Sequence, residues 1–175
     1  MLNIVLFEPE IPQNTGNIMR TCVAIGAKLH LIKPLGFSLD DKYLKRSQLD
    51  YIKYLDYEIY PNFDNFVANN PGNYFYLSRY GHYNYHEIDY SGIKENVYLV
   101  FGKESTGISK EILIDNLDKT FRIPTTDKVR SLNLSNCVAI VVYDYMSKIG
   151  FKGLELEEPS SLKGANFLDN LKGLK

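Results

Sequence analysis

Cysteine occurs only twice among the 175 residues, and tryptophan not at all. Two cysteines exclude a disulfide scaffold as the source of stability, and Cys22 and Cys137 read as small buried apolar residues. No run approaches the ~18 consecutive apolar residues that a transmembrane helix needs, so no membrane partner is expected. The opening MLNIVLFEPEI has no basic leader and meets a glutamate at position 8, so it reads as a first strand rather than a signal peptide. The expected compartment is the cytoplasm. Neither sign of charge is in excess: 20 basic and 21 acidic residues leave a net charge of −1. That balance excludes a histone-like surface but leaves room for a local basic patch. The three histidines, His30, His82 and His86, lack metal-ligand spacing, and no metal is expected.

What is present is ordinary globular material, 45% hydrophobic and 23% charged, enough for one domain with a buried core. The 14 tyrosines are spread along the chain and read mostly as half-buried packing residues. Apolar runs predict strands at Asn3–Phe7, Leu29–Ile32, Glu58–Tyr60, Tyr74–Leu77, Val97–Phe101 and Thr120–Ile123. Helical spacing predicts helices from the Asn14–Asn17 cluster to Gly26, within Asp40–Leu55, at Phe63–Ala68, at Ser109–Leu117 and at Asn133–Ile149. Strands alternating with helices imply an α/β fold with a mostly parallel sheet flanked by helices. Residues 1–150 form the single domain. Residues 151–175, with mixed charge and a Pro-Ser-Ser break, read as a partly ordered C-terminal extension with one short helix.

Three segments stand where strands end and helices begin: NTGNIMRTC (14–22), LVFGKESTGI (99–108) and FRIPTTDKVRSLNLSN (121–136). Each alone also reads as a capped strand–turn–helix connection. The second is neither GxGxxG nor GxxxxGK[ST], so a nicotinamide or nucleoside triphosphate site is not indicated. Its Gly102 reads as a place where a ligand approaches the backbone. Taken together, the segments supply three polar junctions at one sheet edge, where α/β folds bind ligands.

These segments resemble the three motifs of the SPOUT (SpoU–TrmD) RNA methyltransferases. NxGNxxR corresponds to Asn14, Gly16, Asn17 and Arg20. FGxExxG corresponds to Phe101, Gly102, Glu104 and Gly107. IPxxxxxxSLNLSNxxAI corresponds to Ile123, Pro124, Ser131–Asn136, Ala139 and Ile140. The resemblance covers about residues 1–150 and is greatest to the TrmL/YibK type, ribose methyltransferases acting on the tRNA wobble nucleotide 34. It implies a deep trefoil knot near the C-terminal end, against the general scarcity of knots. It implies S-adenosylmethionine as cofactor, contacted at Leu77, Gly102, Ile123, Ser131 and Leu132. It implies a homodimer with the site near the subunit interface, and Arg20 beside the cofactor and able to serve the partner's site.

Arg20, Glu104 and Asn133 are the catalytic residues on this reading. Arg20 orients the ribose hydroxyl and a neighbouring phosphate, because a guanidinium keeps its proton and makes a poor base. Glu104 orders the second motif or meets the substrate, and Asn133 with Ser135 holds the loop and helix start. The tRNA, through its anticodon stem-loop, is expected to meet Asn14, Arg46, Arg79, Lys128, Arg130 and Tyr143, with Lys103 a further cation. The RYGHYNY stretch (79–85) mixes a cation with aromatics suited to stacking on an exposed base. Competing readings are the same chemistry on ribosomal RNA or another tRNA position, a Rossmann oxidoreductase, and a non-catalytic RNA-binding protein on this scaffold. The absence of an added domain before the first motif tilts the expectation towards the wobble position.

Overall fold

The computed structural model describes residues 1–39 and 51–172. Among them, seven strands form one sheet: β1 (Leu2–Phe7), β2 (Lys28–Ile32), β3 (Tyr57–Tyr60), β4 (Asn73–Leu77), β5 (Tyr83–Asn84), β6 (Val97–Phe101) and β7 (Thr120–Arg122). Their order is β3-β2-β1-β6-β4-β7-β5, and every pairing is parallel. The described helices are α1 (Pro12–Ile25), α2 (Phe63–Asn69), α3 (Lys110–Ile114), α4 (Leu134–Lys148) and α5 (Phe167–Leu171). The expected helical content of Asp40–Leu55 lies mostly outside the described residues; the described part of that segment, 51–55, holds one 3₁₀ turn at Ile52–Tyr54.

Strand periodicity divides the core into two layers. Ile4, Leu6, Leu99 and Phe101 face α1 and α4, where they meet Ile18, Met19, Cys22, Val138 and Val142. Val5, Phe7, Tyr98 and Val100 face α2 and α3, where they meet Phe66 and Leu113. Strands buried on both faces explain the unbroken apolar runs. Cys22 is fully buried, as its helical spacing implied, whereas Cys137 is half-buried. No described helix is long and apolar enough to cross a membrane, and no cluster of potential metal ligands occurs among the described residues.

Two elements differ from expectation. Helix α1 begins at Pro12, inside the turn preceding the polar cluster, because proline suits the first helical position, and it starts without a side-chain cap. Strand β5 was not expected: its two residues carry no apolar run, and pairing with β7 alone makes them a strand.

His30 serves packing. Its Nε2 is 3.1 Å from Asn3 Oδ1 and its Nδ1 3.3 Å from Tyr60 Oη, under the Phe66 ring at 5.1 Å. Burial, helped by the nearby Lys28, pushes its pKa down to about 4. The neutral ring therefore stabilises the fold fully above the unfolded value near 6.5, and that contribution is lost as pH falls towards 4. Denaturant titrations should show up to about 3 kcal/mol lost over this window. A His30→Gln variant should start lower and show a flatter profile.

Candidate active site

The C-terminal ends of β4, β6 and β7 open into a cleft of about 500 Å³. Its walls are the strand ends at Leu77, Gly102 and Ile123, the loop 103–107, and the segment 130–134 leading into α4. The five residues expected at the cofactor, Leu77, Gly102, Ile123, Ser131 and Leu132, all line it. So do Asn14, Arg79, Glu104, Arg130 and Asn133. The three sequence segments thus converge on one cavity.

A chain of side-chain hydrogen bonds holds them there. The Glu104 carboxylate accepts from the backbone N–H of Glu10 (2.9 Å), that of Ile11 (3.3 Å) and the Asn14 amide (2.9 Å). Asn14 Oδ1 in turn accepts from Asn133 Nδ2 at 2.9 Å. Asn133 Oδ1 accepts from Ser135 N (2.9 Å) and Ser135 Oγ (2.7 Å), which caps α4. Glu104 therefore ties residues 10–11, which lead into α1, and Asn14 in its first turn to the second motif, and a carboxylate suits a helix N-terminus electrostatically. With both oxygens occupied by N–H donors, Glu104 holds the junctions in place, and so does Asn133. Asn14→Ala would leave Asn133 without its acceptor and remove one donor from Glu104. A loss of about 1–3 kcal/mol is expected in a calorimetric melt.

The loop 103–105 is gripped a second time from the 8–10 segment. Lys103 Nζ lies 2.7 Å from Glu8, and Glu10 accepts from Ser105 N (2.9 Å) and Ser105 Oγ (2.8 Å). The Ser105 hydroxyl and N–H hold the Glu10 carboxyl below its usual range. Glu8, Glu10 and Ser105 were not singled out in the sequence, because no fixed spacing announces a contact between residues some 95 positions apart.

Gly102 has a structural reason in addition to the expected one. A Cβ there would lie 2.1 Å from Ile108 N and 2.2 Å from Gly107 C. The chain's own loop, folding back, is what approaches Gly102.

The other expected residues divide. Lys128 lines an open groove of about 560 Å³ beside the cleft, together with Arg79, Arg122 and Arg130. Arg20 lies outside the cleft of its own chain: it is exposed on α1, its guanidinium 4.9 Å from the centre of the Tyr51 ring. Tyr143 is exposed on α4 and also stands outside the cleft. Arg46 lies outside the described residues. Lys110, Arg122 and Cys137 line the cleft without having been expected to, from the start of α3, the end of β7 and the first turn of α4, and Tyr80 lines it from the stretch expected to stack on a base.

Known proteins match this arrangement. The profile of the SpoU rRNA methylase family matches residues 1–143. A tRNA (cytidine(34)-2'-O)-methyltransferase of Saccharophagus degradans is 46% identical over 155 residues, 87% of this chain and 99% of the relative. A solved structure described as giving insight into the 2-OH methylation of C/U34 on tRNA superposes with a TM-score of 0.80 at 39% identity, covering 87% of this chain and 98% of the other. The SpoU methyltransferase AviRb of Streptomyces viridochromogenes, solved with AdoMet, shares the fold at a TM-score of 0.71 and 21% identity, over 89% of this chain and 59% of its own. With the three motifs gathered at one cleft and the match running from the first residue to α4, the chain belongs to the SpoU rRNA methylase family.

Proposed function

We propose that this chain transfers a methyl group from S-adenosylmethionine to the ribose 2′-hydroxyl of the wobble nucleotide, position 34, of tRNA. The observation that carries this reading is the nearly end-to-end similarity, at 46% identity, to a methyltransferase named for that position. The cleft fits the cofactor: about 500 Å³ is within the usual range for small-molecule sites, and its lining combines apolar residues (Leu77, Ile123, Leu132) with polar ones (Ser131, Asn133). Leu77, Gly102, Ile123, Ser131 and Leu132 would hold it. When bound, the cofactor supplies a methyl already activated by its sulfonium, so the protein's contribution is positioning.

The chain acts as a homodimer, in which Arg20 of one subunit serves the cleft of the other. Its position outside the cleft of its own chain supports this. There the guanidinium fork orients the attacking hydroxyl and an adjacent phosphate, and that phosphate or a water accepts the hydroxyl proton. Arg79, Lys128 and Arg130 meet phosphates of the anticodon stem-loop. The C-terminal half forms a trefoil knot, a reading supported by β7 pairing between two strands that precede it in the chain. The reaction takes place in the cytoplasm.

The test uses purified protein, methyl-labelled S-adenosylmethionine and tRNA from a strain lacking the activity, with the labelled nucleotide mapped by digestion and mass spectrometry. Label on the 2′-oxygen of nucleotide 34 is the expected result. Label at another nucleotide, or none, overturns the assignment.

A further inference from the structure

Between the cleft and the basic groove stands Tyr80, which lines both. Its ring is 49% exposed, although the side chain sits in the most cation-rich part of the site. One face is backed by Arg79, whose Cζ lies 4.7 Å from the ring centre and whose Nη2 donates to Tyr80 Oη at 2.5 Å. The backbone beneath is fixed. Tyr80 N donates to Ser78 Oγ (3.3 Å), Gly81 N donates to Ser78 O (3.1 Å), and Ser78 N donates to Phe121 O (2.8 Å). A Cβ on Gly81 would lie 2.4 Å from Phe121 C, so the turn rests directly on β7. By contrast, Tyr83, equally exposed, leans on the Phe121 ring at 5.9 Å.

An aromatic ring held rigidly, backed by a cation on one face and exposed at the rim of a cleft, has the form of a stacking platform. The cations around it, Lys110, Arg122, Lys128 and Arg130, suit the phosphates flanking a splayed nucleotide. We propose that Tyr80 is the platform on which a nucleobase of the substrate RNA, next to the ribose being methylated, stacks during the reaction. The proposal rests on the RNA-methyltransferase reading above. It adds a specificity element that none of the three motifs contains.

The test pairs two readouts on the wild type and on Tyr80→Ala, Tyr80→Phe and Tyr80→Trp. The first is fluorescence of anticodon stem-loops carrying 2-aminopurine at nucleotides 33, 34 or 35, which is quenched on stacking. The second is methyl transfer to unmodified tRNA. At one of the three positions, the wild type, Phe and Trp proteins should quench the probe and the Ala protein should not. Tyr80→Ala should also lose roughly tenfold to hundredfold in kcat/KM, the scale of one base–aromatic stack, and Phe should restore it. Three results would overturn the proposal: no quenching by the wild type, equal quenching by Tyr80→Ala, or a Phe variant as impaired as Ala. A fourth is S-adenosylhomocysteine affinity falling as far as RNA affinity in Tyr80→Ala, which would assign the ring to the cofactor's adenine instead. Methyl transfer by the wild type reports separately on the function itself, so failure of the two ideas is distinguishable.

Discussion

Gly102→Ala is expected to abolish cofactor binding and lower the melting temperature by about 2–12 °C. The added methyl would lie 2.1 Å from Ile108 N and 2.2 Å from Gly107 C, both backbone atoms that no rotamer change can move aside. The loop 103–107 must therefore shift. It is anchored by Lys103 to Glu8, by Glu104 to the start of α1 and by Ser105 to Glu10, so a shift strains or breaks these contacts together. Overpacking of this kind costs about 1–3 kcal/mol, and each kcal/mol moves the melting temperature of a domain this size by about 2–4 °C. The cofactor effect is larger than the stability effect because the displaced segment is itself a wall of the cleft. Calorimetric titration with S-adenosylmethionine checks the first part and a thermal melt the second. Retained affinity would mean that the loop relaxes without disturbing the cavity.

Arg20→Ala should cost roughly 10²–10³ in kcat, the scale associated with removing one donor aimed at the reacting oxygen. Arg20→Lys should remain at least about tenfold impaired, since a single ammonium cannot replace the two-pronged fork. A lysine variant near full activity would refute the orienting role. The location of Arg20 allows a sharper test. In the proposed dimer, an Arg20→Ala subunit keeps an intact cleft, and a Gly102→Ala subunit keeps an intact arginine. Each is inactive as a homodimer. Subunits exchanged at random should regain about a quarter of wild-type activity, since half the dimers are mixed and each mixed dimer has one complete site. No recovery would return Arg20 to its own subunit's chemistry.

The central strands were legible because a doubly buried parallel strand must be apolar throughout: VYLVF became β6 without ambiguity. Helix α4 was legible at both ends, from Asn133 as its cap and from the spacing of Val138, Val141, Val142 and Tyr145. The start of α1 was not, because the backbone N–H groups just before it donate to Glu104, some ninety residues away. Sequence periodicity reports a residue's local surroundings and has no term for a partner supplied by another strand end. The same limit applies to the site. The three motifs mark the junctions, but not the direction in which each side chain is turned: Glu104 and Asn133 face the protein's own backbone and helix caps. Gly102 was marked for a ligand's approach, and the structure adds a neighbour that the sequence does not announce, the chain's own loop. Tyr80 was embedded in an aromatic stretch, and only its separation from Tyr83 and Phe121 in space sets it apart.

Strand β6 pairs with β1 on one side and β4 on the other, with Asn3 opposite Tyr98 and Phe75 opposite Leu99. During synthesis, β1, β2, β3 and β4 leave the ribosome before the strand that fills that gap, and β7 only after it. Until Val97–Phe101 emerges, the nascent chain can pair β1, β2 and β3, while β4 has neither of its partners. The open edge of β1 and the unpaired β4 are of the kind that recruits other chains. Closing the gap requires contacts across about 95 residues, which are slow to form. The most vulnerable moment therefore falls when β4 has emerged and β6 has not, and a ribosome pausing at that stage would hold an aggregation-prone intermediate.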